Sequence, residues 1–306
     1  MCGIVGILGK KDVSLRLLEV LKRLEYRGYD SAGIATIDDG TLVRRRSVGK
    51  LSKLSGLLAN EPIFGCSGIG HTRWATHGAP TIDNSHPHQS GTSVAVVHNG
   101  IIENFFELRS ELLSEGITFI SDTDTEVISQ LVNNFIVKGL TPIAAVKKTI
   151  PLLKGAFALC FLFSGEDDLM IAVKQGSPLA VGYGKEEMFV GSDAIALSIL
   201  TKKISYLEEG DYAVIKRNEI EIKDYQGNSV RREILRIDQS QARTGKDGFK
   251  HFMLKEIFEQ PEALSRIIGR YISEDGMSIV MDTKKINLSN LQRITIVACG
   301  TAYLAS

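Results

Sequence analysis

Apolar positions change period several times along this chain, and each change predicts an element. Residues 4–8 form an unbroken apolar run and read as a buried strand. Over 13–26, Leu15, Leu18, Leu21 and Leu24 keep helical spacing, with Asp12 placed to cap the helix and Gly28 just past its end. Residues 33–37 and 93–98 return to strand. A second helix is predicted over 103–115, stopped by Gly116, and a third over 125–138, stopped by Gly139. A fourth starts at Thr141-Pro142, a cap followed by proline at the first helical position. Short strands then follow in series at 156–163, 169–174, 180–183, 188–190, 204–207, 212–216 and 220–223. Strands early and late around helix pairs suggest stacked sheets between helical layers.

The pattern breaks at 238–248, where Ser, Gln, Gly and charged residues replace it. Beyond the break, 252–271 is helical again, and 294–298 reads as a buried strand feeding Cys299-Gly300-Thr301. A strand running into a Gly-Thr turn usually opens a unit that holds an anion at a helix N-terminus. The chain is thus expected to stop at the start of a second α/β domain.

Composition narrows the classes. Three hundred and six residues are ample for a real core, and 36 basic residues balance 36 acidic ones, so no global field favours nucleic acid or an anionic membrane. Arg44-Arg45-Arg46 reads as a solvated edge. Cys2, Cys66, Cys160 and Cys299 are far apart with no CxxC pairing, the usage of a reducing compartment, and Cys160 lies in a core run. No signal segment and no apolar stretch long enough for a membrane span is found, so a soluble, cytoplasmic protein is expected.

Candidate chemistry begins at Cys2. It follows Met1 directly and opens the run CGIVG; a small residue there permits removal of the initiator. Cys2 would then carry a thiol, pKa ~8.5, and a free α-amine, pKa ~7.7–8.0, on one carbon, supplying nucleophile and base together. It could equally be a small buried hydrophobe. Arg27–Gly33 (RGYDSAG) could be a helix-to-strand turn only. In HTRWATHG (71–78), Arg73 suits a carboxylate, or is a solvated arginine on an edge strand. His98-Asn99-Gly100 is either a hairpin turn or an oxyanion hole, pairing the Asn99 amide with the Gly100 N–H. Thr123-Asp124-Thr125-Glu126 has capping-box spacing, and Asp124 could instead hold an ammonium group. His86-Pro87-His88 lacks further ligands at a recognisable spacing, so no metal is expected.

Taken in order, CGIVG, YRGYDSAG, HTRWATHG, VVHNGIIEN and SDTDTEV resemble the N-terminal-nucleophile class of glutamine amidotransferases. Within it, the wording is similar to the branch that aminates fructose 6-phosphate, and KHFMLKEI, EQP and VACGT resemble that branch's passage into a sugar isomerase (SIS) domain. Amidophosphoribosyltransferases share the start but lack the tryptophan-containing HTRWATHG form and the KHFM–EQP segment. Asparagine synthetases share the N-terminal cysteine and then diverge. The resemblance implies an α+β fold: a four-layer αββα sandwich over 2–240, a linker at 241–250 and the beginning of an α/β SIS-type domain over 251–306. It implies that Cys2 attacks L-glutamine, that Asn99 and Gly100 stabilise the oxyanion, and that Arg73, with Thr76 and His77, takes the α-carboxylate. Asp124 would take the α-ammonium, and Trp74 would gate an ammonia channel. No cofactor is implied; the complete enzyme is implied to be a homodimer. Of the sugar-phosphate loop only Gly300 and Thr301 match, with Ala302 where many members carry serine. This chain alone is expected to perform the glutaminase half-reaction, the alternative being an inactive glutamine-binding or partner-dependent fragment.

Overall fold

The computed structural model describes residues 2–237, 248–273, 277–278, 292–298 and 303–304. They fall into two units, Met1–Thr244 and Gly245–Ser306.

The larger unit is built on two antiparallel sheets, with elements numbered in chain order. The first, eight-stranded, runs β15 (Leu235–Arg236), β11 (Lys203–Tyr206), β9 (Ala180–Tyr183), β10 (Met188–Gly191), β1 (Gly3–Leu8), β4 (Ser67–Arg73), β2 (Ser31–Asp38) and β3 (Thr41–Val48). The second, seven-stranded, runs β14 (Ser229–Val230), β13 (Glu219–Lys223), β12 (Tyr212–Lys216), β8 (Met170–Gln175), β7 (Gly155–Phe163), β6 (Val94–Ile102) and β5 (His88–Ser90).

Side-chain alternation sorts the apolar residues into three cores. Ile4, Leu8 and Ile69 meet Ala95, Val97, Cys160 and Leu162 between the sheets. On the outer face of the first sheet, Val5 and Ile7 pack under α1 (Ser14–Leu24) and α2 (Leu51–Asn60). On the outer face of the second, Val96, Phe157 and Phe161 pack under α3 (Phe105–Ser114), α4 (Thr125–Val137) and α5 (Pro142–Thr149). A short α6 (Ala194–Leu197) joins the first helical layer. The layers are therefore helix, sheet, sheet, helix, the expected αββα order. Because both faces of β1 are covered, its sequence is continuously apolar rather than alternating, and each fully buried Val, Ile or Leu contributes about 1.5–3 kcal/mol.

Several local expectations are corrected. Helix α1 begins at Ser14, with Val13 at the cap; Asp12 accepts a hydrogen bond from Ser14 Oγ at 2.7 Å but does not cap the helix backbone. Leu15 is exposed, while Leu17, Leu18, Leu21 and Leu24 are buried. A step of three residues falls about 60° short of a full turn, so a spacing-of-three series walks off the buried face. Thr123 and Glu126 form no capping box: Glu126 accepts from the Ile120 and Ser121 N–H groups, and Thr123 Oγ1 meets His88 Nε2 at 3.1 Å. The arginine run lies on edge strand β3, as expected, but is half-buried rather than freely solvated: Arg44 donates to Pro87 O and Arg46 to Asp83 O and Ser85 O. Nor does Arg73 sit on an edge strand; β4 lies inside its sheet between β1 and β2.

The most consequential correction is at Asn99-Gly100, which is no hairpin. Strand β6 runs straight through, pairing with β7 as far as Ile102 opposite Gly155. A two-residue turn of the Asn-Gly kind needs positive φ at both residues; here only Gly100 has it, at +123°. That glycine takes its positive φ inside a strand that does not reverse.

In the smaller unit, α7 (Phe252–Tyr271) forms where a helix was predicted, with Pro261 inside it. The strand predicted at 294–298 does not form: residues 292–298 have no regular structure, and 292–297 are exposed. Among the described residues no strand lies beside them, and an extended segment is stabilised only by partners. Cys299, Gly300, Thr301 and Ala302, and 241–247 of the expected linker, lie outside the described residues. No helix among the described residues is long and apolar enough to cross a membrane.

A methyl group added at Gly100 would lie 1.9 Å from Ala156 O, on a backbone that side chains rarely adopt. Gly100→Ala is therefore expected to cost at least ~1–3 kcal/mol, lowering the melting temperature by several degrees. An unchanged melting curve would contradict this reading of the strand.

Candidate active site

The pairing of β1 with β4 places Gly3 opposite Thr72, so the residue before β1 meets the residues ending β4. Cys2, half-buried, accordingly lies against the start of the next loop: the Trp74 N–H donates to Cys2 Sγ at 3.2 Å, and Sγ donates to Trp74 O at 3.5 Å. Burial pushes the thiol pKa up, opposed chiefly by the Trp74 N–H. The second sheet contributes Asn99, whose Nδ2 donates to the Cys2 carbonyl at 3.1 Å. Behind Asn99, His71 Nε2 lies 3.0 Å from both Asn99 Oδ1 and His98 O. Cys2 and the Asn99 amide thus come from different sheets and meet at the mouth of the sandwich.

A cleft of about 320 Å³ opens there, lined by Cys2, Arg73, Trp74, Thr76, His77, Asn99, Gly100 and Asp124, among others. Every candidate from the first unit converges on it. Arg73 is buried; its Nη1 donates to Ala79 O at 3.3 Å and its Nη2 to His77 O and to Gly78 O at 3.1 Å. Burial lowers the Arg73 pKa, opposed by Cys2, Asp124 and Asp30. Asp124, also buried, accepts from the Ile102 N–H at 2.8 Å and lies 4.0 Å from His98 Nδ1. Trp74 is 44% exposed, with Tyr29 edge-on to it at 5.4 Å. His77 packs edge-on to Phe105 at 5.3 Å.

Sequence reasoning missed some lining groups. Arg27, paired with Asp193, lines the cleft, as do Ser177 and Pro178 from the loop joining β8 to β9. Arg27 belongs to a motif already singled out; the Ser-Pro loop carried no signal. Asp30, in the same motif, accepts from the Ala75 N–H at 2.9 Å and ties the two loops together.

The histidines form a wall behind the cleft. His71 stacks on His86 at 4.0 Å, and His86 contacts His88 edge-on at 4.9 Å. His98 Nδ1 meets Thr125 Oγ1 at 2.9 Å, which also meets His86 Nε2 at 3.3 Å. Burial holds all four neutral: it lowers the His71 pKa to about 3, those of His86 and His88 well below the usual value, and that of His98 in the same direction. Among the described residues no cluster of three or more His, Cys, Asp or Glu could hold a metal.

A family profile described as a glutamine amidotransferase domain matches residues 71–198. Over its whole length the chain is 52% identical to a glutamine–fructose-6-phosphate aminotransferase (isomerizing) of Brucella abortus, and 48% identical to the Bartonella henselae protein of that name. It covers 50% of each, and so spans about half the length of the curated relatives it matches. Among solved structures, the glutamine phosphoribosylpyrophosphate amidotransferase of B. subtilis aligns at 25% identity with a TM-score of 0.64, over 75% of this chain and 50% of that one. A glutamine aminotransferase class-II domain protein of Silicibacter pomeroyi, 16% identical with a TM-score of 0.52, covers 73% of this chain and 99% of its own, and shares the fold.

The neutral histidines set the response to acid. Between the folded pKa of His71, about 3, and the unfolded value of ~6.5, the unfolded chain binds a proton that the folded one refuses. Stability therefore falls as pH drops through this window, by up to about 1.4 kcal/mol per pH unit for each such histidine. The urea midpoint is expected to hold between pH 8 and 7 and to fall between pH 6.5 and 5. A flat midpoint down to pH 5 would contradict neutral burial.

Proposed function

The chain carries a glutamine amidotransferase domain in the N-terminal-nucleophile fold, and on that premise we propose that Cys2, freed by removal of Met1, attacks the side-chain amide of L-glutamine. The thiol proton passes to the α-amine of Cys2, through a water molecule, as sulfur bonds to the amide carbon. Asn99 Nδ2 and the Gly100 N–H stabilise the tetrahedral oxyanion. The protonated amine then gives its proton to the leaving nitrogen, ammonia departs and a γ-glutamyl thioester remains. Water, deprotonated by the same amine, attacks the thioester and releases glutamate with the thiol restored.

The observation that carries this reading is the convergence of Cys2 and Asn99 from separate sheets, 3.1 Å apart through the Cys2 carbonyl. The two ionic residues fit the ends of an amino acid. Three of the five guanidinium N–H groups of Arg73 are accounted for by bonds to the 77–79 carbonyls, leaving donors for an α-carboxylate. Asp124 has one oxygen engaged by Ile102 and another for an α-ammonium. Thr76 and His77, beside them in the lining, assist Arg73.

In a protein as long as its relatives, the ammonia would pass to fructose 6-phosphate in a sugar isomerase domain to give glucosamine 6-phosphate, within a homodimer. Residues 251–306 would begin that domain, and Gly300 and Thr301 would belong to its phosphate loop. Trp74, half-exposed beside the nucleophile, suits the gate between the two sites. The scattered thiols accord with a cytoplasmic setting.

Glutamate release from glutamine by the purified chain tests the first step. Cys2→Ala is expected to reduce it to the uncatalysed rate; turnover surviving in that variant would overturn the nucleophile. Arg73→Lys should raise KM by about tenfold to a hundredfold, from ~1.5–3 kcal/mol per hydrogen bond to a charged group, with kcat little changed. An unaltered KM would remove Arg73 from substrate binding.

A further inference from the structure

We propose that His71 is a positioning residue that sets the orientation of the Asn99 amide, and through it the oxyanion hole. This rests on the reading of Asn99 given above. His71 is wholly buried in β4, on the same face as Ile69, which belongs to the core between the sheets. It is not part of the cleft lining and does not meet substrate.

The orientation follows from donor and acceptor counting. An asparagine amide can be turned either way, and only one way aims its nitrogen at the nucleophile. His71 Nε2 faces two groups at 3.0 Å, the His98 carbonyl and the Asn99 amide. The carbonyl can only accept, so Nε2 must carry the hydrogen. The ring is neutral, so Nδ1 carries none, and Nδ1 has no hydrogen-bond partner among the described residues. With Nε2–H pointing at Asn99, a reversed amide would set N–H against N–H at 3.0 Å; only Oδ1 can face the histidine. Asn99 Nδ2 is thereby turned toward Cys2, with one hydrogen on the Cys2 carbonyl at 3.1 Å. The other is left for an oxyanion. The link is also a strut between the sheets, since His71 stands on β4 and Asn99 on β6.

The test is a double-mutant cycle on glutamine hydrolysis by the full chain. Asn99→Ala alone should lower kcat by about 10²–10³-fold, the effect of losing an oxyanion donor; if it does not, the oxyanion reading itself fails. His71→Leu should lower kcat by about 10- to 100-fold, a fraction of that effect, with KM and the rate of Cys2 alkylation by iodoacetamide unchanged. His71→Gln, whose amide N–H can still reach Asn99 Oδ1, should recover much of the loss. In the Asn99→Ala background His71→Leu should cost nothing more, because there is no amide left to orient. Full multiplication of the two losses, or an alkylation rate falling in step with kcat, would reduce His71 to a packing residue and overturn the proposal. Should His71→Leu not fold, His71→Asn, too short to reach Asn99, takes its place in the cycle under the same criteria.

Discussion

The antiparallel pairing of β1 with β4 decides where every group at the site can be. Its register sets Gly3 opposite Thr72, which brings Cys2 against the main chain of Trp74. A slip of one residue would exchange the two faces of β1, burying Val5 and Ile7 between the sheets and turning Ile4 and Leu8 to the helices. The register is fixed further by how closely the sheets approach: a methyl group on Gly6 would lie 2.6 Å from Met170 Sδ and 3.1 Å from Cys160 Sγ. The position of Cys2 is thus a property of the whole sandwich, and the second sheet is held near enough for Asn99 to reach it.

Around that meeting point the fold places little net charge. Four histidines that could carry protons are kept neutral by burial, leaving Arg73 and Asp124 as the buried ions of the cleft. In a low-dielectric pocket this matters twice. On the function proposed above, each ion would act with less screening on a bound amino acid, and oriented neutral N–H groups would stabilise a developing oxyanion without reorganising. The loop bearing His86 and His88 is tied down from outside the cleft. Arg44 and Arg46 cap its carbonyls, and burial lowers the Arg46 pKa to about 10 without removing its charge at neutral pH. A basic run that looks like a solvated edge therefore works as a fastener for the histidine wall.

How much of this was legible in the sequence depended on whether the signal was local. Strand β1 and helices α4 and α5 could be read because their signals lie within a few residues: an apolar run in β1, Gly139 past the end of α4, and Thr141, which does accept from the Ala144 N–H, at the start of α5. The convergent site could be read only as a set of motifs in order, because the residues that meet, Cys2 with Trp74 and Asn99 with His71, are separated by 72 and 28 positions. Local signals failed where a distant partner competed. Asn99-Gly100 has hairpin chemistry, but β7 offers β6 a longer pairing. Thr123 and Glu126 have capping-box spacing, but His88 and the Ile120 and Ser121 N–H groups take their side chains. The strand expected at 294–298 shows the converse case: apolar residues supply the propensity, and no described partner supplies the ladder.

In the mechanism proposed above the base is the Cys2 α-amine, and what surrounds Cys2 Sγ accords with that role. Burial raises its pKa, so the thiolate is not the resting form and a proton must be taken during attack. A cysteine paired with histidine solves this with a side-chain base, but the hydrogen-bond partners of Sγ described here are both main-chain groups of Trp74, which cannot serve. His98, the histidine nearest in sequence to Asn99, is turned with Nδ1 on Thr125 and Asp124, and no hydrogen bond joins its ring to Sγ among the described residues. The amine on the same α-carbon as the thiol has suitable basicity and is held beside it by covalent geometry. While Met1 is attached that nitrogen is an amide and has no basicity to offer. On that reading, removal of one residue would convert a half-buried thiol into a self-activated nucleophile.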